Sequence, residues 1–197
     1  MQLDSSLRTE DATIIKAKEV ASTPSQSGAE PRVTTIAIQP RSEEAWSPFV
    51  YQLHASISAL EENEYLIVSI KRSNYFVQFA AQGAFGMRME AVSTFYLPEG
   101  QSLDDAKHAL LLEMGWHAPT NVPDDLELDH PPDGSPNYFL DVAAPVPFEA
   151  LTLLAVNTLI SIYGASHPLQ LEYTAFGEGE TSIRFPTLGI RQRAARS

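Results

Sequence analysis

Hydrophobic positions through the middle of the chain change period in a readable order. Ser47-Pro48 has the form of an N-cap followed by proline at the first helical position, with Trp46 and Tyr51 placed as a hydrophobic staple. Val50, Leu53, Ile57 and Leu60 then recur at three- and four-residue spacing, which predicts a helix to about Glu62. Three stretches of period two follow, over residues 64–70, 75–81 and 87–97. The short connections Lys71-Arg72-Ser73-Asn74 and Gln82-Gly83-Ala84-Phe85-Gly86 suit hairpins, so the three strands are expected to form an antiparallel meander. Pro98 and Gly100 end it. Ser102 and Asp105 open a second helix in the manner of a capping box, striped by Leu103, Ala106, Leu110 and Met114 up to Gly115. A fourth strand is expected over residues 137–142, a third helix from Pro147 to Tyr163-Gly164, and a fifth strand over 169–176. The order α-βββ-α-β-α-β predicts an α+β fold, a single mainly antiparallel sheet with helices packed on it.

The strand phases separate the two faces of that sheet. Leu66, Val68 and Ile70, then Tyr75, Val77, Phe79 and Ala81, then Met87, Met89, Ala91 and Phe95 form the expected core face, joined by Tyr138, Leu140 and Val142 and by Leu169, Leu171 and Tyr173. The opposite face carries Tyr65, Ile67, Phe76, Val92, Tyr96, Phe139 and Phe176, more apolar surface than a solvated face needs. These seven residues are the candidate client or dimer surface. Two readings stay open: an interaction surface, or a face covered within the chain by the second helix or by Val33-Thr34-Thr35-Ile36-Ala37-Ile38. They also combine, if the N-terminal segment occupies a groove that a client later takes.

The ends differ from this body. Residues 1–45 include Ala21-Ser22-Thr23-Pro24-Ser25-Gln26-Ser27-Gly28, a linker composition too polar and small to pack, so this extension is expected to be disordered or loosely docked. The domain is expected over residues 46–176, and residues 177–197 as a frayed basic tail with Arg184, Arg191, Arg193 and Arg196. No internal repeat is found.

Composition narrows the function classes. Of 197 residues, 25 are acidic and 13 basic, a net charge of −12, which disfavours nucleic acid and anionic membrane as partners. The absence of cysteine removes disulfides, thiolate chemistry and cysteine-based zinc sites. No apolar segment is suited to a signal peptide or a membrane span, so a cytoplasmic location is expected. The five histidines, at 54, 108, 117, 130 and 167, have no metal-ligand spacing. There is no nucleophile elbow and no phosphate-binding glycine loop. The acidic stretch 124–134 is interrupted by Leu126, Leu128 and Pro131-Pro132, which spoils a calcium loop and favours a solvated one. Asp104-Asp105 reads as favourable charge at a helix start rather than an acid/base pair. Nothing supports an enzyme, a metal or a cofactor.

With the elements in order, the chain resembles the type III secretion chaperone-like superfamily, in particular its YbjN-type and TY-Chap (peptide-binding chaperone-like) domains. Two local signatures carry the resemblance: Leu111-Leu112-Glu113-Met114-Gly115-Trp116-His117-Ala118-Pro119, a leucine-rich helix closing in Gly-Trp and then Pro, and Leu159-Ile160-Ser161-Ile162-Tyr163-Gly164 leading to Leu169-Gln170-Leu171. It covers roughly residues 46–176. What it implies is a bacterial, acidic, non-enzymatic module that holds a protein client segment by apolar contact and strand addition. The alternative is a self-associating structural or regulatory subunit whose apolar face is only a homodimer interface. The first 45 residues and the Arg-rich tail depart from the compact pattern.

Overall fold

The computed structural model describes residues 40–120 and 134–193 of the chain. The N-terminal extension up to residue 39, its segment 33–38, nearly all of the acidic stretch 124–134 and the last four residues of the tail therefore lie outside the described residues.

The elements are α1 (Pro40–Ser58), β1 (Tyr65–Ile70), β2 (Phe76–Ala81), β3 (Met87–Ala91), α2 (Asp105–Glu113), β4 (Tyr138–Val142), α3 (Phe148–Asn157), β5 (Leu171–Phe176) and a two-residue β6 (Arg191–Gln192). They build one six-stranded sheet in the order β4-β3-β2-β1-β5-β6. Every pair is antiparallel except β5 with β6. The fold is α+β, with the meander at its centre.

Alternation decides what is buried. Leu66, Val68, Val77, Phe79, Met89, Ala91 and Leu171 are fully buried on one face. Burial of each of the larger ones contributes about 1.5–3 kcal/mol. The helices supply the cover: Trp46, Phe49, Leu53 and Ile57 from α1, and Leu151, Leu154, Ala155 and Leu159 from α3 and the π-helical turn Thr158–Ile162 that extends it. The Gly-Trp signature ties α2 to the same side. Gly115 takes φ 103° to end the helix, and Trp116 is then buried with its Nε1 donating to Thr158 Oγ1 at 3.0 Å. Nearer its start, His108 Nδ1 lies 2.7 Å from the hydroxyl of Tyr138, a core-face residue.

Four local expectations are corrected. α1 starts at Pro40 rather than at Ser47: its buried stripe begins at Trp46, about one turn before Val50, and Pro48 lies inside the helix on its exposed side. Trp46 meets Phe49 edge-on at 5.7 Å, not Tyr51, which is 70% exposed. β3 stops at Ala91 instead of reaching Leu97, since Ser93 turns its polar groups elsewhere: its N–H donates to Asn137 Oδ1, its hydroxyl to Pro136 O, and its Oγ accepts from Phe95 N to open a 3-10 turn. Phe95, expected in the core, is 52% exposed. Asp104, not Ser102, caps α2, accepting from Lys107 N at 2.8 Å. At β5, His167 accepts from Leu169 N and starts a 3-10 turn, so Leu169 points out and the strand begins at Leu171.

The tail up to residue 193 does not fray. Leu188 is buried at 1% exposure, Ile183 N donates to Ala175 O, and Arg193 N donates to Tyr173 O. Leu188, with Ile183, Phe185 and Ile190 packed against the core, and these two backbone bonds anchor a segment whose composition reads as loose.

Gly86 is the turn that lets β3 start beneath the end of β4. It has φ 107°, and a Cβ there would lie 1.9 Å from Val142 O. Gly86→Ala is expected to destabilise the protein by about 2 kcal/mol or more, read as a lower urea midpoint. An unchanged midpoint would show that this turn is loosely held.

Candidate functional site

Two concave regions stand out among the described residues, one on the sheet face opposite the helices and one between α1 and α3. On the sheet face the pairing registers order the side chains into three rows. One row runs Glu172, Ser69, Phe76, Val92 and Asn137 across the strands. The next runs Thr174, Ile67, Gln78, Glu90 and Phe139, and the third Phe176, Tyr65, Ala80, Arg88 and Asp141. No described helix lies over these rows, because all three pack on the other face.

The seven residues singled out from the sequence are not equivalent. Tyr65 and Phe176 are adjacent partners of β1 and β5, and their rings stack at 5.0 Å. Ile67 lies two residues along β1, and Phe76 is the partner of Ser69 beyond it; all four are half-buried. Phe139 is separate. It sits on β4 under the Arg88 guanidinium at 5.6 Å and beside the His117 ring at 5.3 Å. Tyr96 is 43% exposed on the turn that follows β3. Val92 is fully buried, since the chain leaves the sheet there, and it forms the floor of the groove instead of a contact surface.

Sequence phasing missed a polar strip that divides this face. Glu90 Oε1 accepts from Ser135 Oγ at 2.6 Å, and Oε2 from Gln78 Nε2 at 3.4 Å. Ser135 Oγ in turn accepts from Asn137 N. Arg88 binds Asp141 with two parallel bonds of 2.7 Å and also donates to Gly134 O at 3.2 Å. The hydrogen bond to Asp141 holds the guanidinium still further in its charged form. The alternation of Gln78 and Glu90 with aromatic positions is visible in the chain, but the partners come from residues 134–137, far off in sequence. Glu90 and Asn137 of this strip line an open groove of about 560 Å³ together with Phe76, Tyr96 and Arg193.

The sheet edges are partly taken up by the chain itself. His117 exchanges both backbone bonds with Phe139 beyond β4, and residues 182–183 and 191–193 lie along β5. The second depression, about 410 Å³, is the valley between α1 and α3, lined by Trp46, Val50, Tyr51, His54, Leu153 and Val156. The Trp46 indole N–H is buried there without a hydrogen-bond partner. Among the described residues no three His, Cys, Asp or Glu side chains converge on a metal site, and no helix is long and apolar enough to cross a membrane.

Comparison with known families settles the class. The family model TY-Chap3, described as a T3SS (YopN, CesT) and YbjN peptide-binding chaperone, matches residues 39–177. The chain belongs to this family. The TY-Chap3 match begins beside α1 and ends just past β5, so it takes in the whole meander and all three helices. TY-Chap domains bind peptide segments of other proteins, which makes this a chaperone-type binding domain. A search of curated proteins finds no match, and neither does a search of solved structures.

One buried tyrosine holds the groove floor. Tyr163 Oη donates to Val92 O at 2.9 Å, and its ring stacks on Tyr75 at 4.8 Å. Burial pushes the Tyr163 hydroxyl well above the ordinary tyrosine range, so its stabilisation is complete below pH of about 10 and is lost as pH rises further. Tyr163→Phe is expected to lower stability by about 1 kcal/mol at neutral pH and to flatten the decline above pH of about 10, read from urea midpoints. An equally steep alkaline decline in the variant would assign it to other groups.

Proposed function

We propose that this domain holds an extended client segment on the sheet face opposite the helices, over Tyr65, Ile67, Phe76 and Phe176, and that it has no catalytic role. The observation that carries this is one-sided packing. Aromatic side chains stand half-exposed on a face that no described helix covers, in a family whose members bind peptides. The chain's own segments take up backbone bonds at Phe139 on the β4 edge and along β5, which favours side-chain contact over addition of a strand. The Tyr65–Phe176 stack and Phe76 are large, rigid surfaces of the kind that anchor interfaces. The location that fits such a client is the cytoplasm.

A second reading keeps the same surface and changes its occupant. The patch would then join two copies of this chain, and a homodimer would bury it by isologous contact.

Neighbouring residues of β2 test both. Val77→Asp buries an unpaired carboxylate at a cost of several kcal/mol, comparable to the whole stability of a domain, and is expected to unfold the protein. Phe76→Asp, on the other face, is expected to keep the melting temperature near wild type while weakening capture of displayed random peptides by about 2 kcal/mol. Light scattering after size exclusion separates the readings: a dimer that Phe76→Asp dissociates, with no peptide captured by wild type, favours self-association. If the two variants unfold alike, this face is a second core surface and the proposal fails.

A further inference from the structure

The outer groove holds one carboxylate, Glu90, and one guanidinium, Arg193, which is taken up by Glu172 of β5. Glu90 stands half-buried in its middle row and is held by neutral donors alone, the Ser135 hydroxyl at 2.6 Å and a long bond of 3.4 Å from Gln78. Ser135 is itself buried, so the carboxylate is fixed from behind, and it keeps acceptor capacity on the groove side because it offers about four lone-pair sites. Two arginines are near and both are committed. Arg88, two residues along the same strand, attracts Glu90 at longer range but makes its hydrogen bonds to both oxygens of Asp141. Arg193 follows β6, four strands from β3; its side chain lines the same groove and contacts Glu172 at 3.4 Å. Among the described residues no cation lies within 4 Å of Glu90.

The rings beside it complete a seat. Phe76 is the diagonal neighbour of Glu90 across the β2–β3 register, about 7–8 Å away, and Tyr96 closes the same groove. A ring face attracts a cation, and an aromatic surface accepts the methylene stem of a long basic side chain. The chain's net charge of −12 draws basic segments toward it.

We propose that the groove selects its client by one lysine or arginine side chain, whose stem crosses Phe76 and whose charge sits against Glu90. This rests on the sheet-face reading above and adds the chemistry of the segment bound there. Apolar residues on either side of the basic one lie toward Ile67 and the Tyr65–Phe176 stack. The preference weakens with salt, because the seat is partly exposed.

Random peptides displayed on phage and selected on the full chain test it, with Glu90→Gln and Glu90→Lys as comparisons. Gln retains an oxygen for Ser135, and an unchanged melting temperature verifies the fold. Wild type is expected to enrich Lys or Arg at one fixed position among apolar neighbours. A synthetic copy of an enriched peptide is expected to bind Glu90→Gln about fivefold more weakly by fluorescence anisotropy at low salt. Replacing the peptide's basic residue by Gln should cost the same factor and abolish the difference between the two proteins, while Glu90→Lys is expected to select Asp or Glu at that position. Enrichment of apolar positions without a basic one, or a basic preference that survives Glu90→Gln, overturns this inference and leaves the sheet-face reading standing. No enrichment at all, or enrichment that Phe76→Asp leaves intact, overturns that reading and this inference with it.

Discussion

A sheet has two faces, and the helices of this domain are all spent on one of them. α1 and α3 lie over the centre of the meander, and α2 is pinned to the same side by the Trp116–Thr158 and His108–Tyr138 bonds. Each of those contacts reaches a core residue or the end of α3, so α2 is held away from the opposite face. The rows through Phe76, Ile67 and Tyr65 are left to whatever else can cover them. Burial of alternate residues in every strand therefore does two things: it drives folding on one face and leaves a defined apolar surface on the other.

The chain's own segments at the edges favour a use of that surface through side chains. An open edge would recruit any extended chain through its backbone and read little of its sequence. Here the backbone groups beyond β4 and β5 are engaged by residues 117, 183 and 193. In the proposed sheet-face reading, recognition then passes to side chains, to the stacked pair Tyr65–Phe176, to Phe76, and to the polar strip around Glu90. Polar groups fixed from behind by Ser135 and Asn137 add orientation to a surface that would otherwise only be greasy.

The sheet was legible because period two leaves a strong trace where one face is buried. Strands β1, β2 and β4 fall within a residue of their expected limits, and Val77 and Phe79 point inward as their phase requires. Legibility failed where a side chain took over a backbone bond. Ser93 and His167 each start a 3-10 turn through a side-chain acceptor, and the strand pattern on either side runs on in the sequence although the chain does not follow it. It failed at Pro48 for the opposite reason, since a residue that commonly begins helices was carried inside one by the Trp46 stripe. Of the candidate face, the apolar members could be read from phase, apart from Val92, which is fully buried at the floor of the groove. The strip around Glu90 could not, because its partners are about 45 residues away in sequence.

The central claim is that clients contact the uncovered sheet face and not the valley between α1 and α3. The most direct test is a methyl NMR titration of the full chain with a peptide selected on it. The account predicts large shifts of the Ile67 methyl signals, with Val50 and Leu153 in the helical valley unmoved. Shifts concentrated at Val50 and Leu153, with Ile67 silent, would contradict it.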